Sequence, residues 1–242
     1  MSNEKVMDLW SHVNELRSRL LKAVISLIVT TLGSFMIAQY TIELLARPIG
    51  GLDKLISIEV TESVGVFMRV SLLTGFIFAL PFILFQIISF ISPGLYANEK
   101  KMLFVFIPIA TLLFIGGVAF AFYIMLPTAL QFLITGIFPI ETQPRLSNYI
   151  NFVTNLLFWI GVSFEIPLVV FALAKFRILS PKMLISQWRI AIVVIAIVAA
   201  VVTPTPDPVN MGILMLPLFA IYLLSIVFAK IAYREKPEEP AA

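Results

Sequence analysis

The sequence predicts an all-α integral membrane protein with six transmembrane helices. Sixty per cent of the 242 residues are hydrophobic, 13% are charged and the mean hydropathy is +1.01, which is more apolar than a water-soluble fold can cover with polar side chains. Charged residues are absent from 23–40, 70–98 and 102–140. A spanning helix needs about 20 mostly apolar residues, and these runs lack the alternation that strands of a membrane barrel would show.

Six segments are predicted to cross the membrane, and they lie at about 20–42, 66–91, 102–126, 151–174, 189–203 and 211–229. With an amphipathic segment at 1–19 and a tail at 230–242, they form one polytopic domain over residues 1–242. The fifth segment is short, because the apolar run 190–202 extends only about 20 Å as a helix against a hydrocarbon core of about 30 Å. Half of a re-entrant hairpin is therefore an alternative for this run. The prolines of "TPTPDP" then end it.

The distribution of Lys and Arg predicts that both termini are cytoplasmic. With residue 1 on that side, 13 of the 17 basic residues fall on the cytoplasmic side of the six-span arrangement, as the positive-inside rule requires. Three fall on the opposite side (Arg47, Lys54 and Arg145), and Arg69 lies inside the second span. The net charge of +3 is explained by this bias, so we expect no nucleic-acid partner.

The sequence lacks the residues that most classes of enzyme chemistry require. Cysteine is absent, which excludes thiolate nucleophiles and Cys-ligated metals, and a single histidine, His12, cannot form a His-rich metal site. No Gly-rich phosphate loop is present. Asp207 is the only aspartate after Asp53, so a pair of intramembrane catalytic aspartates is also missing. We therefore expect a protein that is not an enzyme and that needs no metal or cofactor.

The segment before the first span is predicted to lie on the bilayer surface as an amphipathic helix. Its apolar stripe comprises Trp10, Val13, Leu16 and Leu20. Glu15 points away from this stripe, and its spacing allows a solvated pair with Arg19 at i+4. Glu99 has an equally simple interpretation as a loop charge beside two lysines.

A carboxylate inside the fourth span is the least expected feature of the sequence. Asn151, Thr154, Asn155 and Glu165 fall within an arc of about 100° on one helix. A charge near the bilayer centre costs about 2.5–3.5 kcal/mol on insertion scales, so this stripe is predicted to face a groove, water or another helix. Pro167 removes a helix donor and predicts a kink. Glu165 either stabilises the fourth helix through hydrogen bonds or serves as a polar contact for the membrane helix of a partner or signal.

Four motifs resemble those of the TatC family, the core receptor subunit of the twin-arginine protein translocase. "SHVNELRSRLL" is similar to the family's H-L-x-E-L-R-x-R-L opening. The stretch from "FMRVSLLTG" through "LPFILFQ" to "PGLYANEKK" resembles the motif that ends in P-G-L-x-x-x-E-(K/R). "GVSFEIP" looks like G-x-x-F-E-x-P, and "TPTPDP" followed by Pro217 resembles the T-P-x-D-P turn and last helix. These motifs occur in the family's order across nearly the whole chain.

The resemblance implies a six-helix, glove-shaped, concave arrangement in which helices five and six are short, which favours a true span at 190–202. It implies a bacterial or archaeal cytoplasmic (inner) membrane protein that binds twin-arginine signal peptides of folded precursors. Its partners would be TatA-type and TatB-type single-span subunits, membrane lipid and further copies of itself. Transport would draw on the proton-motive force, with no nucleotide.

The resemblance also implies roles for single residues. Glu15 and Glu99 match positions implicated in signal recognition, and carboxylates pair with guanidinium groups in a bidentate geometry that lysine cannot reproduce. Arg17 is expected to position this acidic patch. The remaining candidates have a structural or partner-contact role, and they are Pro48, Arg69, Asp207 and Pro217. The chain departs from the family at Arg69, where relatives carry Lys, at Met211, where they often carry Gln, and at Leu223, where they often carry Glu.

Two other functional classes stay open from the residues alone. In a proton-coupled secondary transporter, Glu165 would load a proton and Arg69 or Asp207 would tune it. Such transporters have repeated halves, and the pattern from Glu165 to Pro167 has no second copy. A purely structural membrane scaffold would leave Glu15 and Glu99 without a role.

Overall fold

The structure is a computed structural model, and it describes residues 2–91, 97–135, 143–203 and 208–233. Every regular element in these ranges is helical, and one isolated bridge joins Ile56 and Arg145. The α-helices are α1 (Ser2–Ser34), α2 (Ala38–Ala46), α3 (Glu62–Ile91), α4 (Ala97–Phe120), α5 (Leu126–Thr135), α6 (Leu146–Phe164), α7 (Ile166–Lys175), α8 (Pro181–Ser186), α9 (Trp188–Val202) and α10 (Pro208–Ala232). Short 3₁₀ turns occupy Phe35–Ile37, Arg47–Ile49 and Leu52–Lys54, and a π-helical turn occupies Ala121–Met125.

Among the residues that the structure describes, five helical stretches are long and apolar enough to cross a membrane. They are Trp10–Ile49, Glu62–Ile91, Leu103–Gln131, Leu146–Lys175 and Met211–Ala232. Between 6% and 44% of the most apolar window of each stretch is buried within the protein, so most of these apolar side chains face outward, as a lipid environment requires. The shorter apolar helix α9 has 15 residues, about 22 Å of length. The six predicted spans and their boundaries stay predictions.

The chain divides into two compact units. The first comprises Met1–Leu112 and Glu141–Thr154, and the second comprises Leu113–Ile140 and Asn155–Ala242.

In the first unit, α1 crosses α3 at a point where only a glycine fits. A Cβ added to Gly75 would lie 2.6 Å from the Cα of Thr31, closer than nonbonded atoms approach. The hydroxyl of Tyr149 donates a 2.7 Å hydrogen bond to the carbonyl of Leu45, which joins α6 to α2. Gly50 and Gly51 have φ of 99° and 114°, and such backbone angles favour glycine, so the chain turns here after the 3₁₀ turn Arg47–Ile49.

In the second unit, two glycines again permit close packing. A Cβ on Gly117 would lie 3.0 Å from the Cα of Gly161 and 2.8 Å from the ring of Phe164. The chain from α4 to α5 stays helical through the π-helical turn, a rare element that occurs mostly as a single turn within α-helices. A small apolar core joins α7 to α10, and its buried members are Val170, Ala174, Ala229 and Ala232.

Candidate functional site

The carboxylate of Glu15 is paired with Arg19 one helical turn further along α1. The Nη2 of Arg19 donates to the Oε1 of Glu15 at 2.8 Å, and its Nε donates to the same oxygen at 3.1 Å. The solvated i+4 pair that the spacing allowed is therefore present. The side chain of Glu15 remains 34% exposed, so the carboxylate is accessible from solvent. Arg17 is exposed on the same helix.

The N-terminal helix is held against the end of α3 by an aromatic stack. The rings of His12 and Phe90 lie 4.5 Å apart, centre to centre, with an interplanar angle of 22°. Glu15 therefore lies one helical turn from a contact with the end of α3. Glu99 follows in the first turn of α4, and its side chain is outside the described part of the chain. Sequence reasoning missed this stack, because nothing in the spacing of His12 and Phe90 pairs them.

The apolar stripe predicted on the first segment is exposed along its length. Trp10, Val13, Leu16 and Leu20 have between 47% and 66% of their surface accessible. Apolar side chains on one line of an exposed helix suit contact with lipid. Contact with the bilayer surface stays a prediction for this segment.

Arg69 and Thr154, which the sequence placed in different groups of candidates, contact each other in the first unit. The Nε of Arg69 donates a 2.8 Å hydrogen bond to the Oγ1 of Thr154. The Thr154 hydroxyl is buried and donates to the carbonyl of Ile150 at 2.7 Å. The planar guanidinium thus reaches a polar position on α6 from α3.

Glu165 lies where the fourth long helical stretch is interrupted. Helix α6 ends at Phe164 and α7 begins at Ile166, with Pro167 in its first turn. The Glu165 N–H bonds to the carbonyl of Val162 at 3.1 Å, three residues back instead of four, as expected at the kink that Pro167 predicts. The side chain is half-buried, and its Oε1 is buried with no hydrogen-bond partner among the described residues.

It stays a prediction that Asn151, Thr154, Asn155 and Glu165 together form one polar stripe. Asn155 is half-buried and, like Glu165, belongs to the second unit, whereas Thr154 belongs to the first. Pro48 lies half-buried in the 3₁₀ turn Arg47–Ile49, and Pro217 is half-buried inside α10. Asp207 lies outside the described residues.

A buried acid that sequence reasoning did not single out organises one end of the first unit. Oε1 of Glu62 accepts from the backbone N–H of Ser147 at 2.6 Å, and Oε2 accepts from the N–H of Ile58 at 3.0 Å and from the Nε of Arg145 at 3.2 Å. Its side chain is only 1% exposed. The Nη2 of Arg145 also pairs with Glu59 at 2.7 Å. This Glu62 cluster ties the segment before α3 to the start of α6.

The carboxylates of the Glu62 cluster stabilise the charged form of Arg145. Hydrogen bonds to Glu59 and Glu62 raise the pKa of Arg145 above its ordinary value, so the guanidinium remains charged. Backbone bonds add to the contact, since the N–H of Ile56 donates to the carbonyl of Pro144 at 3.1 Å and the N–H of Leu146 donates to the carbonyl of Ile56 at 2.8 Å. The arrangement is structural in character. Within the described ranges, no group of three or more His, Asp or Glu is placed to hold a metal ion.

Comparison with known proteins shows to which family the chain belongs. Residues 11–217 match the family model described as Sec-independent protein translocase protein (TatC). The relative from Carboxydothermus hydrogenoformans is 34% identical over 98% of this chain and 97% of its own length. That from Deinococcus radiodurans is 36% identical over 96% and 88%, and that from Aquifex aeolicus is 36% identical over 96% and 98%. All three are named Sec-independent protein translocase protein TatC.

A solved structure agrees with the sequence matches. A crystal structure of the twin-arginine translocase receptor TatC superposes with a TM-score of 0.83 at 34% identity, covering 92% of this chain and 100% of that one. The resemblance and the all-helical membrane fold that the sequence predicted are both confirmed. The chain is a multi-pass membrane protein that belongs to the Sec-independent protein translocase (TatC) family.

Proposed function

We propose that this protein is the receptor subunit of a twin-arginine translocase, and that it binds the signal peptides of folded precursors at its cytoplasmic face. It performs no enzymatic step. The proton-coupled transporter is not favoured, because the family is one of protein translocases. The binding site, the partner subunits and the orientation in the membrane are parts of the same proposal.

One observation supports Glu15 as an arginine-binding residue. Its carboxylate already accepts two N–H groups of one guanidinium, from Arg19, while remaining accessible to solvent. A second guanidinium can use the other oxygen or displace Arg19. Pairs at i and i+4 on a helix are worth only about 0.3–0.5 kcal/mol, so displacement of Arg19 costs little. Arginine is favoured over lysine because its planar fork matches a carboxylate in bidentate fashion.

The His12–Phe90 stack supports a role for Glu99 in the same patch. It holds the turn before Glu15 against the end of α3, from which the chain leads to Glu99 nine residues after Phe90. The proposed patch comprises Glu15 and Glu99, with Arg17 as a residue that positions it or meets lipid headgroups.

For the membrane part of the cycle, we assign Glu165, together with Asn155 and Thr154, as a polar contact for an inserting helix. The buried Oε1 of Glu165 can accept a hydrogen bond from such a helix. The inserting helix would belong to a signal peptide or to a TatA-type or TatB-type single-span partner. Several copies of the protein would assemble in the complex, and the proton-motive force would drive transport.

The recognition site is tested by replacing both acids of the patch. Glu15→Ala with Glu99→Ala should weaken binding of a twin-arginine peptide at least about tenfold, because charge-assisted hydrogen bonds are lost. Binding is measured on purified protein by fluorescence anisotropy. The matched control is Glu43→Ala with Asp53→Ala, which removes two exposed acids from the predicted opposite side and should bind normally. Unchanged affinity in the first double variant would contradict the assignment of Glu15 and Glu99 as the signal-peptide site. A twin-lysine peptide should bind the unmodified protein less well.

The proposed orientation places both termini and Glu99 in the cytoplasm of a bacterial or archaeal cell. Single cysteines at Ser2, Asn98 and Ala241 should be labelled by an impermeant maleimide only from the cytoplasmic side. A cysteine at Asn148, which is exposed, should be labelled only from the opposite side. Labelling of the Asn98 and Asn148 variants from the same side contradicts the six-span arrangement.

A further inference from the structure

The second unit contains a cationic cavity that the proposed function does not use. It has a volume of about 520 Å³ and is lined by Ser180, Pro181, Lys182, Ile185, Lys230 and Tyr233. Two of these residues carry a positive charge, two carry hydroxyl groups and none is acidic. Lysine ammonium groups bind phosphate as point charges, and basic pockets between membrane helices bind anionic headgroups. The chemistry of the lining therefore suits a phosphate ester.

Helix α8 contributes to the lining of the cationic cavity and also to that of a second, apolar cavity of about 320 Å³. Its lining includes Leu184 from α8, Ile190, Ala191 and Val194 from α9, and Tyr222 from α10. Leu184 lines this cavity and Ile185 lines the cationic one. The hydroxyl of Tyr222 donates a 2.6 Å hydrogen bond to the carbonyl of Leu184, which holds α8 against α10 at the wall of the apolar cavity.

The order of the two cavities along α10 matches the order of groups in a phospholipid. Lys230 lies in the last turn of α10, at the end of the candidate span Met211–Ala232. Tyr222 lies eight residues earlier in the same span, about 12 Å further along the helix. The charged cavity is thus at the end of the hydrophobic stretch, where headgroups are found, and the apolar cavity lies deeper.

We propose that this pair of cavities binds one anionic phospholipid. Its phosphate contacts Lys182 and Lys230, with the hydroxyls of Ser180 and Tyr233 available to the phosphate or glycerol oxygens. One acyl chain enters the cavity between α8, α9 and α10. This inference requires only that the chain spans a membrane, and it holds whether or not Glu15 binds signal peptides.

The test measures lipid retention by native mass spectrometry after purification in a neutral detergent. The unmodified protein is loaded with vesicles of phosphatidylglycerol or of phosphatidylcholine, and phosphatidylglycerol should be retained preferentially. Lys182→Gln with Lys230→Gln should weaken that retention by roughly 30-fold, since each lysine near a headgroup contributes about fivefold. The matched control is Lys22→Gln with Lys54→Gln, which removes the same charge from exposed residues outside the cavity and should retain the lipid.

The acyl-chain part of the proposal has its own pair of variants. Ala191→Phe fills the apolar cavity and should lower retention, whereas Val193→Phe on the exposed face of α9 should not. Soluble glycerol phosphate, offered at the same concentration, should bind far more weakly than the lipid. Three results overturn the proposal: equal retention of both lipids by the unmodified protein, equal losses in the two lysine double variants, or glycerol phosphate binding as tightly as phosphatidylglycerol. Since the first result needs no mutation, a variant that fails to fold leaves the test intact.

Discussion

Arg69 on α3 donates a 2.8 Å hydrogen bond to the hydroxyl of Thr154 on α6, across 85 residues of sequence. The Thr154 hydroxyl in turn donates to the carbonyl of Ile150, so it accepts from one helix while donating within its own. A cation inside an apolar stretch is costly unless polar groups surround it. The contact therefore joins α3 to α6 and gives Arg69 one of its polar neighbours.

Thr154→Val removes this acceptor while keeping the shape of the side chain. We expect the free energy of unfolding to fall by about 1–3 kcal/mol, because a hydrogen bond to a charged group is lost. Thermal unfolding of the purified protein in detergent measures the change. Thr111→Val is the matched control, since that hydroxyl bonds to the carbonyl of Ile107 within its own helix. An equal effect of the two substitutions would show that the Arg69 contact contributes nothing.

The crossing of α1 and α3 predicts a strong effect of one methyl group. In Gly75→Ala the added carbon would lie 2.6 Å from the Cα and 2.7 Å from the N of Thr31, and backbone atoms must move to accept it. Overpacking of this kind costs about 1–3 kcal/mol. Gly65→Ala in the same helix meets nothing within 4 Å and should be neutral or slightly stabilising. A Gly75→Ala protein that unfolds at the normal temperature contradicts the close crossing.

The Glu62 cluster predicts that an amide cannot replace this carboxylate. Glu62 accepts from donors on both of its oxygens, so the NH₂ group of Glu62→Gln must face at least one N–H. We expect a clear fall in the midpoint of thermal unfolding. Glu59→Gln should change it less, because Glu59 is 63% exposed and exposed ion pairs contribute little. The reverse order of the two variants would refute the central position of Glu62.

Glu165 offers a way to separate a structural role from a role in transport. If Glu165 contacts an inserting helix as proposed, Glu165→Ala should reduce export of a twin-arginine precursor. It should also reduce crosslinks to single-span partners near α7. Thermal stability and peptide binding at Glu15 should stay close to normal. Export by Glu165→Gln indicates that hydrogen bonding is sufficient, whereas loss of export in both variants indicates a need for ionisation. An Ala variant that is less stable yet exports at the normal rate would rule out the functional role.

Several features of the protein were predictable from the sequence because they depend on local properties of the chain. Hydropathy over windows of about 20 residues indicated that the protein lies in a membrane and predicted its long apolar helices. Four short motifs in order predicted the family, and Pro167 predicted the helix interruption that separates α6 from α7. For Glu15, spacing alone allowed the pair with Arg19, since an i+4 neighbour lies within reach on any helix.

The tertiary structure decided which distant polar groups meet. Arg69 and Thr154 were both candidates, yet their contact depends on the rotation of α3 and α6 about their axes, which neither segment encodes alone. Glu62 was not singled out from the sequence, because its importance comes from Ser147 and Arg145, 85 and 83 residues further along. The cause is physical: in a chain this apolar, hydropathy assigns each segment to the membrane but distinguishes poorly among its faces. The few polar groups and the glycines that permit close crossings, such as Gly75 against Thr31, then select how the helices pack.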